Sequence, residues 1–160
     1  MKKTGYAAPA LKDRDKLANA RIAVLATRWN TEIVDALVAG ARRCLADSGI
    51  RKVTEHRVPG AYELPLAAEH LARAGMHDGV VALGAVIRGD TPHFDYVAGE
   101  CARGLQDVSL RHALAVGFGV LTVNNTKQAV ARAGNGRDNK GYEAAMAVLE
   151  MIAFARSARG

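Results

Sequence analysis

The sequence predicts an α/β fold in which a four-stranded parallel sheet lies between two layers of helices. Two observations predict it. Four short apolar or alternating runs, at 21–27, 53–58, 79–87 and 115–123, read as strands. Segments with helical apolar spacing lie between them and after the last. Strands that alternate with helices join by right-handed crossovers into a parallel sheet with helices on both faces. The outcome is a three-layer sandwich, flavodoxin-like in outline.

Each element has its own signal. Residues 1–19 are polar and aperiodic. They read as an N-terminal arm, flexible or ordered only by a neighbour, ahead of one α/β domain at 20–160. Arg21–Thr27 is a short buried strand. Asn30 reads as an N-cap, with Glu32 and Asp35 near the helix start. Ile33, Val34, Leu37, Val38, Ala41 and Leu45 then repeat at helical spacing, and Ser48-Gly49 stops the helix. Val53–Val58 alternates and reads as an edge strand more exposed on one face. A helix follows from about Tyr62 to Ala74, with Pro65 tolerable in its first turn. Gly79–Ile87 is the central strand, His93 to about His112 the third helix and Ala115–Val123 the fourth strand. Asn125–Ala133 and Tyr142–Ala155 are the last helices, joined by a loop at 134–139.

Composition narrows the function classes. At 160 residues the chain is long enough for one domain with a proper core. No apolar run approaches the ~20 residues that span a bilayer. The basic N-terminus lacks the apolar centre of a signal peptide, so the expected location is cytoplasmic. Cys44 and Cys101 both fall in helical patterns and read as reduced and structural. The net charge is +6, but the basic residues are scattered and only 5% of the chain is aromatic. That pattern favours a solvated basic surface over a nucleic-acid groove. The five histidines show no paired zinc spacing, and no P-loop or GxGxxG run is present.

The most informative stretch is Gly84-Ala85-Val86-Ile87-Arg88-Gly89-Asp90-Thr91-Pro92-His93-Phe94-Asp95. A buried strand ends in a glycine turn, and a hydroxyl and an imidazole follow just before a long helix. Ligands of open α/β sheets bind where strands end and helices begin, and a helix start favours an anion. Val58-Pro59-Gly60-Ala61-Tyr62-Glu63-Leu64-Pro65 is a second strand-to-helix turn. Strand-end loops thus offer His93, Thr91, Arg132, Lys140, Glu63, Trp29 and Phe118 to a phosphorylated ligand joined with a flat polar ring. By residue type alone, other readings stand. His93 is equally a helix-start histidine without a role. Arg132 is a solvated helix-end arginine, and Trp29 a packing residue. Glu63 is a first-turn carboxylate that complements the helix dipole. Phe118 is a core aromatic, and Lys140 a capping or solvated lysine.

Together with Arg132-Ala133-Gly134 and Asp138-Asn139-Lys140-Gly141-Tyr142, these segments resemble the lumazine synthase family over roughly residues 20 to 157. The resemblance implies the same three-layer fold. It also implies condensation of 5-amino-6-(D-ribitylamino)uracil with 3,4-dihydroxy-2-butanone 4-phosphate, without cofactor or metal. His93 stands at the family's proton-transfer position and Arg132 at its phosphate-binding arginine. Gly89, Asp90 and Thr91 complete the phosphate cradle, with Asp90 limited to its main chain because a carboxylate repels phosphate. Phe118 closes the butanone phosphate site and Lys140 adds positive potential. Trp29 stacks on the pyrimidine. Ala61, Tyr62 and Glu63 hold the ribityl chain and ring, and the main chain of Ala85, Val86 and Ile87 reads the uracil edge.

The resemblance further implies a homo-oligomer with sites between subunits, Trp29, Glu63 and His93 from one chain and Phe118 and Arg132 from the next. The compact 134–141 loop shows no insertion, which in this family goes with a sixty-subunit shell of twelve pentamers rather than a lone pentamer. Residues 6–11 could lie along a neighbour's sheet edge, although Pro9 departs from an ideal pairing strand. Association with riboflavin synthase is a further expectation. Two rivals come from other classes: a catalytically silent flavin- or lumazine-binding module on the same fold, and a basic nucleic-acid binder. The presence of both His93 and Arg132 favours the enzyme, since flavin binding needs neither proton transfer nor phosphate release.

Overall fold

A computed structural model describes residues 11–160. Strands β1 (Arg21–Thr27), β2 (Lys52–Val58), β3 (Gly79–Ile87) and β4 (Ala115–Val123) form one parallel sheet in the order β2-β1-β3-β4. Helices α1 (Thr31–Asp47), α2 (Leu64–Ala74), α3 (His93–His112), α4 (Thr126–Ala131) and α5 (Lys140–Ala158) connect or follow them.

The period of two along each strand divides the core into two clusters. Ile22, Val24, Ala26, Val81, Leu83, Ala85, Leu121 and Val123 pack against α1 and α5. Ala23, Leu25, Val80, Ala82 and Val120 pack against α2 and α3. The fold is therefore the expected three-layer α/β sandwich. In β4 the side facing α5 is cut back to glycine. A Cβ on Gly117 would stand 2.4 Å from Ala144 O, and one on Gly119 2.5 Å from Leu83 Cδ2. Alanine at Gly117 would push the α5 backbone off the sheet, and at Gly119 it would displace the Leu83 side chain.

Four details differ from the sequence reading. First, residues 11–20 do not hang free: a short 3-10 turn at Arg14–Leu17 buries Leu17, and Arg156 donates to the carbonyls of Lys16 and Ala18 at 2.8 and 2.9 Å. The remainder of the expected arm, Tyr6 to Ala10 included, lies outside the described residues. Second, β2 is an edge strand as expected, but it is largely exposed on both faces. Its outer pairs are ionic, Arg42 with Glu55 and Arg57 with Asp35. Third, Asn30 precedes α1 in the left-handed region (φ 57°) and makes no side-chain cap. Fourth, α4 is shorter than expected, and α5 starts at Lys140 because the buried Asn139 accepts from the N–H groups of Gly141 and Tyr142. Cys44 and Cys101 are free and buried, and desolvation pushes both thiols up to about 12.

Candidate active site

The sheet order places a switch point between β1 and β3, where the chain departs in opposite directions and leaves a crevice at the carboxyl edge. The β1–β3 register ends at Ala26↔Leu83, while β3 continues to Ile87 along β4. Gly84–Ile87 therefore overhangs the crevice with main chain on its β1 side. Gly84 keeps that wall close, since a Cβ there would lie 3.1 Å from Thr27 Cγ2. Asn30 spans the crevice: its Nδ2 donates to Ala85 O at 3.0 Å. The helix-start pattern concealed this role, because an asparagine before a helix reads as a cap. A lone left-handed asparagine carries no sequence signal of a partner 55 residues away.

The turns after β1 and β2 meet beside it. The Trp29 ring lies against Gly60, where a Cβ would stand 3.7 Å from Cε3. Trp29 is 70% exposed. Glu63 turns back, and its Oε2 accepts the Gly60 N–H at 3.0 Å, which fixes the turn and leaves its other oxygen outside that bond. Ala61 is buried beneath and Tyr62 is exposed. After β3, Gly89, Asp90, Thr91 and Pro92 form an exposed turn into His93, the first residue of α3. Thr91 Oγ1 accepts the His93 N–H at a long 3.5 Å. Pro92, which precedes α3, offers no side-chain cap. The start of a 20-residue helix faces the same edge, with the Asp95 N–H turned back onto Pro92 O at 3.0 Å.

One chain does not bring all the expected groups together. Phe118 pairs with Ala82, five positions before the end of β4. At about 3.3 Å per residue it stands roughly 16 Å short of the strand end. It is half-exposed on the outer strand. Arg132 follows α4, whose Ala129 belongs to the α1/α5 layer. Arg132 Nη1 donates to Gln128 O at 3.0 Å, and Arg132 O accepts the Lys140 N–H at 2.9 Å. A groove of about 400 Å³ between Asn30, Ile33 and Ala36 on one side and Thr126, Val130 and Ala133 on the other sets α4 beside the start of α1. His93 opens a helix of the opposite layer. The Lys140 charge is met by Glu143 Oε2 at 2.7 Å.

The edge as built can seat a flat ring against Trp29 and offer main-chain groups to its rim. The His93 turn and the start of α3, which favours an anion, lie at the same edge. Among the described residues no cluster of three histidine, cysteine, aspartate or glutamate side chains forms a metal site, and no helix is long and apolar enough to cross a membrane.

Comparison with known proteins identifies the family. The sequence model of the 6,7-dimethyl-8-ribityllumazine synthase family matches residues 19–156. A 6,7-dimethyl-8-ribityllumazine synthase of Kineococcus radiotolerans is 56% identical over 138 residues, 85% of each chain. Enzymes of the same name from Desulfovibrio desulfuricans and Nitratidesulfovibrio vulgaris are each 52% identical over 134 residues, covering 82% of this chain and 86% of theirs.

Proposed function

Because the chain belongs to the 6,7-dimethyl-8-ribityllumazine synthase family, and so is a transferase of riboflavin biosynthesis, we propose that its carboxyl-edge crevice condenses 5-amino-6-(D-ribitylamino)uracil with 3,4-dihydroxy-2-butanone 4-phosphate. The observation that carries this is the meeting of Trp29, Gly60 and Glu63 beside the overhanging Ala85–Ile87 main chain and the His93 turn.

The pyrimidine stacks on Trp29, and the main chain of Ala85, Val86 and Ile87 reads its edge. Ala61, Tyr62 and Glu63 hold the ribityl chain. The amine attacks the butanone carbonyl, water leaves and a Schiff base forms. Phosphate is then eliminated, and ring closure with loss of a second water gives the lumazine. His93 moves protons between these steps, a task suited to imidazole near neutral pH. Arg132, with the main chain of Gly89 and Asp90 and the Thr91 hydroxyl, holds the phosphate, a planar fork matching its oxygens. Phe118 closes the phosphate side, while Lys140, expected to add positive potential, is paired with Glu143 and adds little.

The separation of Phe118 and Arg132 from His93 within one chain supports a site shared between copies. We read the protein as a cytoplasmic homo-oligomer built of pentamers. The compact 134–141 loop favours the sixty-subunit shell, and association with riboflavin synthase fits the same pathway.

Phosphate release is the test. Inorganic phosphate should appear only when both substrates are present. Binding of the pyrimidine without phosphate release would instead identify a binding module. Light scattering at neutral pH should give a mass far above a pentamer, and a pentamer with nothing larger would exclude the shell.

A further inference from the structure

Arg88 lies between Ile87, the last residue of β3, and Gly89, which opens the turn to His93. Its backbone N–H donates to Val123 O at 2.8 Å and extends the β3–β4 ladder by one step. Its side chain reaches two other segments. Nε donates to Asn124 Oδ1 at 3.0 Å, in the turn between β4 and α4. The guanidinium carbon stands 4.5 Å from the centre of the Phe94 ring, in the first turn of α3. Asp95 lies 3.8 Å away in an exposed pair and contributes little. Asn124 is itself fixed, since its N–H donates to Gln128 Oε1 at 2.8 Å.

The turn that Arg88 spans is otherwise lightly held. Gly89, Asp90, Thr91, Pro92 and His93 are all exposed. The Thr91–His93 contact is long, and the space beside Gly89 is open. A planar guanidinium can aim Nε at Asn124 while its face lies on Phe94. An ammonium cannot do both.

We propose that Arg88 is a positioning residue: by tying the first turn of α3 to the β4–α4 turn, it sets where His93 and the Gly89–Thr91 main chain stand. This rests on the reading of the carboxyl edge as the active site. Arg88 need not touch substrate. A reacting group misplaced by about 1 Å loses on the order of 100-fold in rate.

The test uses the full-length assembled protein with Arg88→Gln, Arg88→Lys, Asn124→Ala and the Arg88→Gln/Asn124→Ala double variant. Arg88→Gln should lower kcat by about 10- to 100-fold, with pyrimidine affinity and melting temperature nearly unchanged. Arg88→Lys should not rescue. The double variant should match Arg88→Gln to within about twofold, because both changes remove one link. Amide exchange in residues 89–96 should quicken in Arg88→Gln while α5 is unchanged. Wild-type kcat in Arg88→Gln, full rescue by lysine, or additive losses in the double variant would overturn the proposal. So would unaltered exchange in the turn, whatever the activity. A wild-type protein that releases no phosphate from the two substrates sinks the functional reading instead, and the exchange result still judges Arg88.

Discussion

The two faces of the sheet are closed to different degrees. On one, α1 and α5 bury Leu37, Ala41, Leu45, Leu149 and Ile152 against β1 and β3, and the β4 glycines let α5 sit on the strand itself. On the other, α2 and α3 bury Leu64, Ala68, Leu105 and Val108, but Tyr62, Leu66, Tyr96 and Leu110 stay 63–72% exposed. Phe118 is on this second face, by its alternation with Val116 and Val120. The layer that α1 and α5 close does expose Met151 and Phe154, the latter beside Leu11, where the described chain begins. The contrast teaches where folding ends and association begins. Large exposed apolar side chains mark contact surfaces, and Leu66, Tyr96 and Leu110 share a layer with His93. The first face is more nearly closed by its own chain, with Val130, Met151 and Phe154 left exposed. The second bears the turn into His93 and leaves the larger set of apolar side chains uncovered.

The largest expected effect tests the catalytic side of that contrast. His93→Ala should slow phosphate release by about 10² to 10⁴-fold. Activity should still be measurable, because holding two reactants in register supplies an effective molarity on the order of 10⁵ to 10⁸ M. Total loss in a folded, normally assembled variant would reverse that ranking.

Stability tests the contrast directly. Leu149→Ala, in the closed face, should cost about 2–5 kcal/mol in denaturant unfolding. Leu66→Ala, in the open face, should change chain folding by no more than about 0.5 kcal/mol and instead lower the assembled mass in light scattering. Equal unfolding costs with unchanged mass would erase the distinction.

Arg132→Ala should weaken the phosphorylated substrate by about 10- to 150-fold, the worth of a hydrogen bond to a charged group. The pyrimidine should bind nearly as before in calorimetry. Equal weakening of both would make Arg132 structural.

A smaller effect concerns how the open layer holds itself. Glu69 on α2 accepts from His112 Nε2 at 2.8 Å and from Arg73 and Arg111 at 2.9 Å each. The His112 hydrogen bond, helped by the two arginines against burial, holds its carboxyl at about 2. A carboxylate lowered on folding contributes stability above its unfolded pKa and loses it as pH falls through the folded one. The unfolding midpoint should therefore drop between about pH 4 and pH 2. Glu69→Gln should flatten that limb, and an unchanged slope would show that other carboxylates set it.

The gentlest probe is the single tryptophan. Trp29 emission should be quenched when a ribityl pyrimidine binds, and Trp29→Phe should keep activity because a flat apolar face remains. Unchanged emission at saturation would place Trp29 outside the site.

What the amino-acid order determined by itself was the set of elements and the edge at which the candidate site residues gather. Gly79–Ile87 and Ala115–Val123 were readable to the residue and the helix from His93 to near its end, because a buried apolar run and a 3.6-residue period report burial directly. The turns bearing Glu63 and His93 were legible because glycine and proline punctuate them, and the one bearing Trp29 because a buried strand gives way there to a helical period. The tertiary structure decided what depends on distant partners. It made β2 an exposed edge on both faces and packed residues 11–20 onto the domain. It sent Asn30 across to Ala85 and turned Glu63 back on Gly60. It joined Arg88 to Asn124, 36 residues on. It also set Phe118 opposite Ala82 and Arg132 on the layer away from His93. Periodicity records whether a side chain is buried, but strand order and register choose its neighbours, and those arise only when the sheet closes.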